Sequence, residues 1–281
     1  MTSAADSRPP RLTEPLSDLA AWTAHFRDAE IPVLAQTAEA LEVLRANEDE
    51  VDANSIGEMI SGDPLMTLKV MAHVAAHRSI RVITDTETVT AALVLMGISP
   101  FFRAFGPQPT VEDRLADLPE ALAGLMDTMR RAHRGANFAL GFAVHRMDHD
   151  AAVIHAAALL HDFAELLLWC HAPALALRIR QAQLADSTLR SSAAQLAMIN
   201  VELPDLQQSL MKAWRLPELL IRINDERHAE DAGVRTVMLA LQLARHTTLG
   251  WDNAAIPDDV RDIASLLNLS TDATLQLVRG I

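Results

Sequence analysis

An all-α fold is expected for this chain on three grounds. Apolar residues recur at spacings of three and four instead of alternating. The 281 residues include 10 Gly and no Tyr, which leaves little for the turns and aromatic faces of a β-rich fold. No Asn-Gly or Asp-Gly turn stands between alternating runs, so hairpins are not expected. Repeats of fixed period are absent, which argues against a solenoid.

The N-terminal segment 1–20 holds Pro9, Pro10 and Pro15 among polar residues, has no periodic apolar face and is expected to be a flexible leader. Trp22 and Phe26, spaced i, i+4, predict a short helix docked on the body. Leu34, Ala38, Leu41 and Leu44 trace a stripe behind Pro32. Asp63 caps the next helix with Pro64 at its first position, and Leu65, Leu68, Met71 and Ala75 face inward. A further helix is expected from Thr86 to Met96, with Val89, Leu93 and Met96 on one face and Gly97 as its stop. Phe101, Phe102 and Phe105 read either as an exposed docking patch or as a plug between lobes. Gly106-Pro-Gln-Pro109 breaks the pattern and is the expected hinge. A long helix then runs from Pro119 toward Arg146, and the Met147-Asp-His-Asp150 turn ends it. Asp150 is expected to cap a continuous helix over 151–168. More helices follow at about 173–185, 188–199, 203–214, 217–228, 233–248, 258–267 and 271–279. The expected organisation is the leader, a helical domain over 21–228 with lobes at about 31–105 and 118–228, and C-terminal helices over 229–281 packed on the second lobe.

Half the residues are hydrophobic and 22% are charged, a globular composition. The net charge of −13 disfavours general binding to nucleic acid or anionic lipid. Cys170 is the single cysteine, so no intramolecular disulfide framework exists and a reducing compartment suits the chain. With no apolar run read as reaching about 20 residues and no signal-peptide stretch at the N-terminus, the protein is expected to be cytoplasmic.

Chemistry concentrates at His161 and Asp162, adjacent in Ala158-Leu-Leu-His-Asp-Phe-Ala-Glu-Leu166. Such a pair can offer an imidazole nitrogen and a carboxylate oxygen to one divalent cation, with His133 on the preceding helix as a third ligand. The alternative is a hydrogen-bonded pair with a structural role. Arg130, Arg131 and Arg134 form a basic cluster on one helix, either a contact for a phosphate-bearing ligand or a solvated face balancing nearby acids. No phosphate-cradling glycine loop and no Ser-centred nucleophile elbow is found.

Five fragments in order carry a resemblance. They are Ile31-Pro-Val-Leu, Ile60-Ser-Gly-Asp-Pro-Leu-Met-Thr-Leu-Lys-Val-Met71, Val89-Thr-Ala-Ala-Leu-Val-Leu-Met-Gly97, Ala158-Leu-Leu-His-Asp162 and Trp214-Arg-Leu-Pro217. Together, over about 31–228, they resemble the HDOD domain, the bacterial regulatory relative of the HD phosphohydrolases. The resemblance implies an all-helical bundle in two lobes, no established catalysis, and a role in bacterial signal transduction, often near cyclic-dinucleotide pathways. Carried over, the first metal-binding His of catalytic relatives resembles His133, and their His-Asp pair matches His161 and Asp162. Their distal Asp falls at Leu241, and the Gly-Lys that often follows His-Asp is Ala164-Glu165 here. The paired histidines of the cyclic-dinucleotide phosphodiesterases reduce to His228 in Arg227-His228, and another position that often holds His is Leu203. An Asn-Ser pair usual after the Asp-Pro helix is Ala75-Ala76. The expectation is therefore a regulatory protein that works through a protein partner, with a degenerate His133, His161, Asp162 site, no catalysis and no cofactor or metal. A small nucleotide is a further candidate ligand. The competing expectation is a metal-dependent phosphohydrolase or cyclic-dinucleotide phosphodiesterase using those same three residues.

Overall fold

The computed structural model describes residues 10–77, 86–186 and 188–281. Among these, every named element is a helix, and Val33 and Thr110 form an isolated parallel bridge. The first group comprises α1 (Leu19–Asp28), α2 (Ala35–Ala46), α3 (Ala53–Ser61), α4 (Pro64–His77), α5 (Val89–Met96), α6 (Ile98–Ala104) and the single turn α7 (Val111–Arg114). The second begins with the 27-residue α8 (Pro119–His145) and continues through α9 (Ala151–Leu160), α10 (Phe163–His171), α11 (Pro173–Ala185), α12 (Ser191–Ile199), α13 (Leu203–Ala213) and α14 (Glu218–Ile223). A 3-10 turn at Glu226–His228 leads to α15 (Ala232–His246), α16 (Ile256–Leu267) and α17 (Thr271–Gly280). Asp18, Asp52, Thr88, Asp231 and Ser270 each accept a backbone N–H at a helix start, so the starts are written in the sequence.

Asp63 does more than cap α4. Its Oδ1 accepts the Leu65 and Met66 amides while Oδ2 accepts the Leu34 amide at 2.8 Å, tying the start of α2 to that of α4 in a fully buried position. Gly97 has φ +83 and ends α5 as expected, because a side chain there would be strained. Phe101, Phe102 and Phe105 are buried against one another, which selects the plug over the docking patch. The Gly106–Pro109 segment is pinned, contrary to the expected hinge. Val33 donates to Pro109 and accepts from Val111, and Lys69 Nζ donates to Gln108 Oε1.

α8 forms the spine, packed along α15, α9 and α10. Two close approaches set this packing. A Cβ on Gly124 would fall 2.5 Å from the Trp169 ring, and one on Gly135 would fall 2.7 Å from Leu241. One buried apolar cluster runs from Trp22 and Phe26 through α4 and α8–α10 to α15 and α17, with α4 packed on both α9 and α10.

Three expectations need correction. Of the segment 1–20, residues 1–9 lie outside the described residues, while 10–18 are docked: Arg11 pairs with Asp117, Leu12 donates to the His171 carbonyl, and Asn200 donates to that of Leu16. The helix expected over 151–168 is two helices, broken at His161-Asp162, and the Asp150 side chain makes no cap hydrogen bond. Finally, Ala151–His171 does form a 21-residue apolar stretch of mean hydropathy 1.5, which by length and composition alone would pass for a membrane span. In this fold most of it is buried inside the protein.

Candidate functional site

The break between α9 and α10 exposes one polar seam in an apolar environment. His161 follows Leu160, and Asp162 occupies the N-cap position of α10 without bonding the helix amides. Its carboxylate is turned toward other partners. Oδ1 accepts from His161 Nδ1 at 3.1 Å, and Oδ2 accepts from Arg131 Nε at 2.9 Å. Arg131 Nη2 also donates to Glu165 Oε2 at 2.7 Å, one helical turn further along α10. Glu165 Oε1 accepts from Thr128 Oγ1 at 2.7 Å and from Trp169 Nε1 at 3.3 Å. On the far side, His161 Nε2 lies 3.7 Å from Glu226 Oε1. His161 and Asp162 are only 13% and 14% exposed, so these charges interact with little screening.

The electrostatics follow from the geometry. Burial opposes charge on His161, but its hydrogen bond to Asp162 and the negative charges of Asp162 and Glu226 win, pushing it up to about 9. Burial would likewise raise Asp162, yet the charge of Arg131 and the bond from His161 hold it well below the usual carboxylate range. Arg131 is raised by the carboxylates of Asp162 and then Glu165. At neutral pH the site is a closed chain of alternating charges, Glu165, Arg131, Asp162, His161, Glu226.

A divalent metal, which the HD resemblance implies, does not fit these residues. Asp162 Oδ2 is held by Arg131 and Oδ1 by His161 Nδ1, so a metal at the pair would have to displace the guanidinium and break the His-Asp contact. A fixed guanidinium stands between the two carboxylates. Among the described residues, no group of three His, Cys, Asp or Glu side chains is arranged to hold a metal ion. Leu241, at the position expected for the distal carboxylate, is buried with its methyl group against Gly135.

His133 is not brought to the pair. It stands two residues from Arg131, about 200° around the same helix, so only one of them can face α10. His133 Nε2 is instead buried without a hydrogen-bond partner among the described residues, and His155, close by, is lowered first by burial and then by His133. The arginine cluster also disperses. Arg130 pairs at the surface with Asp127, Arg131 enters the seam, and Arg134 donates to the Thr247 carbonyl. Thr128, Arg131, Glu165, Trp169 and Glu226 were not singled out from sequence as partners of the pair. A signal existed: Gly124, Thr128 and Arg131 fall at i, i+4, i+7 on α8, and Glu165 and Trp169 at i, i+4 on α10.

The seam borders a cleft of about 1060 Å³. Eight carboxylates and four guanidiniums line it, and Arg131, Arg180 and Arg227 are each committed to a lining carboxylate. Among the described residues, Glu202, Asp205 and Asp252 have no cation within ion-pair distance.

The HDOD domain family model matches residues 31–230. Among solved structures, the chain is similar to the MmoQ response regulator of Methylococcus capsulatus str. Bath at 18% identity and a TM-score of 0.66, covering 90% of this chain and 99% of that one. It is also similar to a virulence factor from Campylobacter jejuni subsp. jejuni, at 16% identity and a TM-score of 0.63, covering 92% and 97%. At these identities the likeness establishes the fold. No curated protein matches the chain.

Proposed function

Because the chain belongs to the HDOD family, we propose that it is a bacterial, cytoplasmic regulatory protein that binds a signalling partner and performs no catalysis at its His-Asp pair. The observation that carries this reading is the Arg131 guanidinium seated between Asp162 and Glu165. In a catalytic relative the carboxylate of the pair is a metal ligand. Here it is one half of a buried ion pair, and the remaining groups supply neither an open coordination position nor an unshared carboxylate. The network instead holds α8, the α9–α10 break and the 3-10 turn together, a rigid floor beneath the cleft.

The cleft's charge narrows the partner. Nucleotide phosphates entering it would meet eight carboxylates against four guanidiniums, three of them already paired, whereas a lysine- or arginine-bearing segment of a protein is complementary to that excess of negative charge. The partner is therefore a protein with a basic segment. No general affinity for nucleic acid is expected at a net charge of −13.

Two assays test the reading. Cyclic dinucleotides and phosphomonoesters, offered with manganese, iron(II) or magnesium, should not be turned over. Turnover that vanishes in His161→Ala overturns the non-catalytic assignment. A fluorescent lysine-rich peptide should bind in a salt-sensitive manner and lose affinity when Glu202→Gln and Asp252→Asn are combined; binding indifferent to both changes removes the cleft from the account.

A further inference from the structure

A second cavity of about 550 Å³ lies between α8, the α15–α16 turn and α17. Its charged lining is the reverse of the acidic cleft's: Arg134 and Arg279 face it, and no Asp or Glu does. That is unexpected on a surface where acids outnumber Lys and Arg 37 to 24.

Neither arginine is committed to an anion. Arg134 uses Nη1 on the carbonyl of Thr247, and its Nε and Nη2 make no hydrogen bond among the described residues. Arg279 lies over the Trp251 ring with its guanidinium carbon 5.6 Å from the centroid, a contact that orients the fork without neutralising it. Neither has a carboxylate within ion-pair distance among the described residues. Asn137 adds a neutral amide donor to the same wall, and Phe138 and Val278 give it an apolar floor. A cavity of this size with two guanidiniums free of carboxylates, an amide donor and an apolar floor has the chemistry of a small-anion site.

We propose that this cavity binds the phosphate group of a small organic phosphate monoester, held between Arg134 and Arg279 with its organic body over Phe138 and Val278. Two guanidiniums match a dianion better than a carboxylate's single charge, and their planar forks suit phosphate oxygens. Of the three arginines that sequence grouped together, Arg134 alone keeps this capacity, because Arg130 and Arg131 are paired with acids. The site is separate from the acidic cleft, though the turn residues Thr248 and Gly250 border both cavities. It stands independently of the non-catalytic reading.

The test titrates the full chain with AMP, inorganic phosphate and acetate, followed by calorimetry and by the emission of Trp251. AMP should bind saturably and more tightly than inorganic phosphate, and acetate least. Arg134→Gln and Arg279→Gln should each weaken AMP by about tenfold or more. Arg279 is exposed near the end of the chain, so its replacement keeps the test valid should Arg134→Gln fail to fold. Trp251→Phe should abolish the emission change. Absence of saturable heat, affinity unchanged in both arginine variants, or acetate binding as well as AMP overturns the assignment.

Discussion

Replacing Arg131 by methionine removes the guanidinium while retaining most of the side-chain volume. The consequence can be worked from the geometry. Two carboxylates lose their shared donor: Asp162, 14% exposed, loses the cation that holds it ionised, and Glu165, 30% exposed, keeps Thr128 and Trp169 as donors. Breaking a buried ion pair by removing one partner costs about 3–5 kcal/mol, and the partial exposure of Glu165 places this case near the lower figure, about 3 kcal/mol. That is a large fraction of a typical domain's net stability. Lysine at the same position keeps the charge but cannot span both carboxylates with a planar fork, so Arg131→Lys should cost about 1–2 kcal/mol. The assay is urea unfolding of wild type, Arg131→Met, Asp162→Asn and the double variant. A coupling of about 1–3 kcal/mol is expected between the two sites. A loss under about 1 kcal/mol for Arg131→Met, together with additive effects, would refute the view that this pair holds the seam.

Other expectations follow from named contacts. Asp63→Ala leaves three amides at the starts of α2 and α4 without their acceptor, and should cost about 3 kcal/mol in the same unfolding assay. Leu241→Asp, which restores the carboxylate at the family's distal position, should destabilise by about 3 kcal/mol or more, because the new charge is buried against α8 without a cation; a rise in melting temperature on adding manganese would contradict this. His171 is pushed down to about 3 by burial, then by Arg114 and His25, so the folded state keeps it neutral while the unfolded chain protonates near 6.5. Its contribution is therefore present above about pH 6.5 and lost as pH falls, amounting to about 2 kcal/mol between pH 7 and pH 5. His171→Gln, which can still accept from Arg114 and donate to the Glu30 carbonyl, should flatten that part of the pH profile, and an unchanged slope would count against it.

The parts of the fold that local chemistry dictates were legible from sequence. Asp63-Pro64, Gly97 and Pro119 marked their boundaries because capping, positive φ and a missing amide are properties of single residues. Trp22 and Phe26 announced a docked helix, and both are fully buried. The break at His161-Asp162 was not legible, since the apolar run continues through it and only the tertiary pull of Arg131 turns the Asp162 carboxylate away from its helix. For the same reason the site was half seen. His161 and Asp162 stood out as a motif, whereas whether Arg131 or His133 faced them depended on the rotation of α8, which the Gly124–Trp169 and Gly135–Leu241 approaches fix from other helices. The dispersal of Arg130, Arg131 and Arg134 has the same origin. Arg130 and Arg131 point roughly 100° apart, so Arg131 reaches α10 while Arg130 pairs within α8 with Asp127, and Arg134, a turn further on, meets Thr247 after α15.

In the seam the Arg131 guanidinium lies between Asp162 and Glu165, beside the His-Asp pair that would have to open to a metal. Manganese titration of chelator-treated protein, followed by the loss of the free-ion electron paramagnetic resonance signal, tests this arrangement directly. Wild-type protein should show no stoichiometric tight manganese binding, with the same titration curve for His161→Ala. One equivalent bound tightly, and lost in His161→Ala, would contradict that expectation.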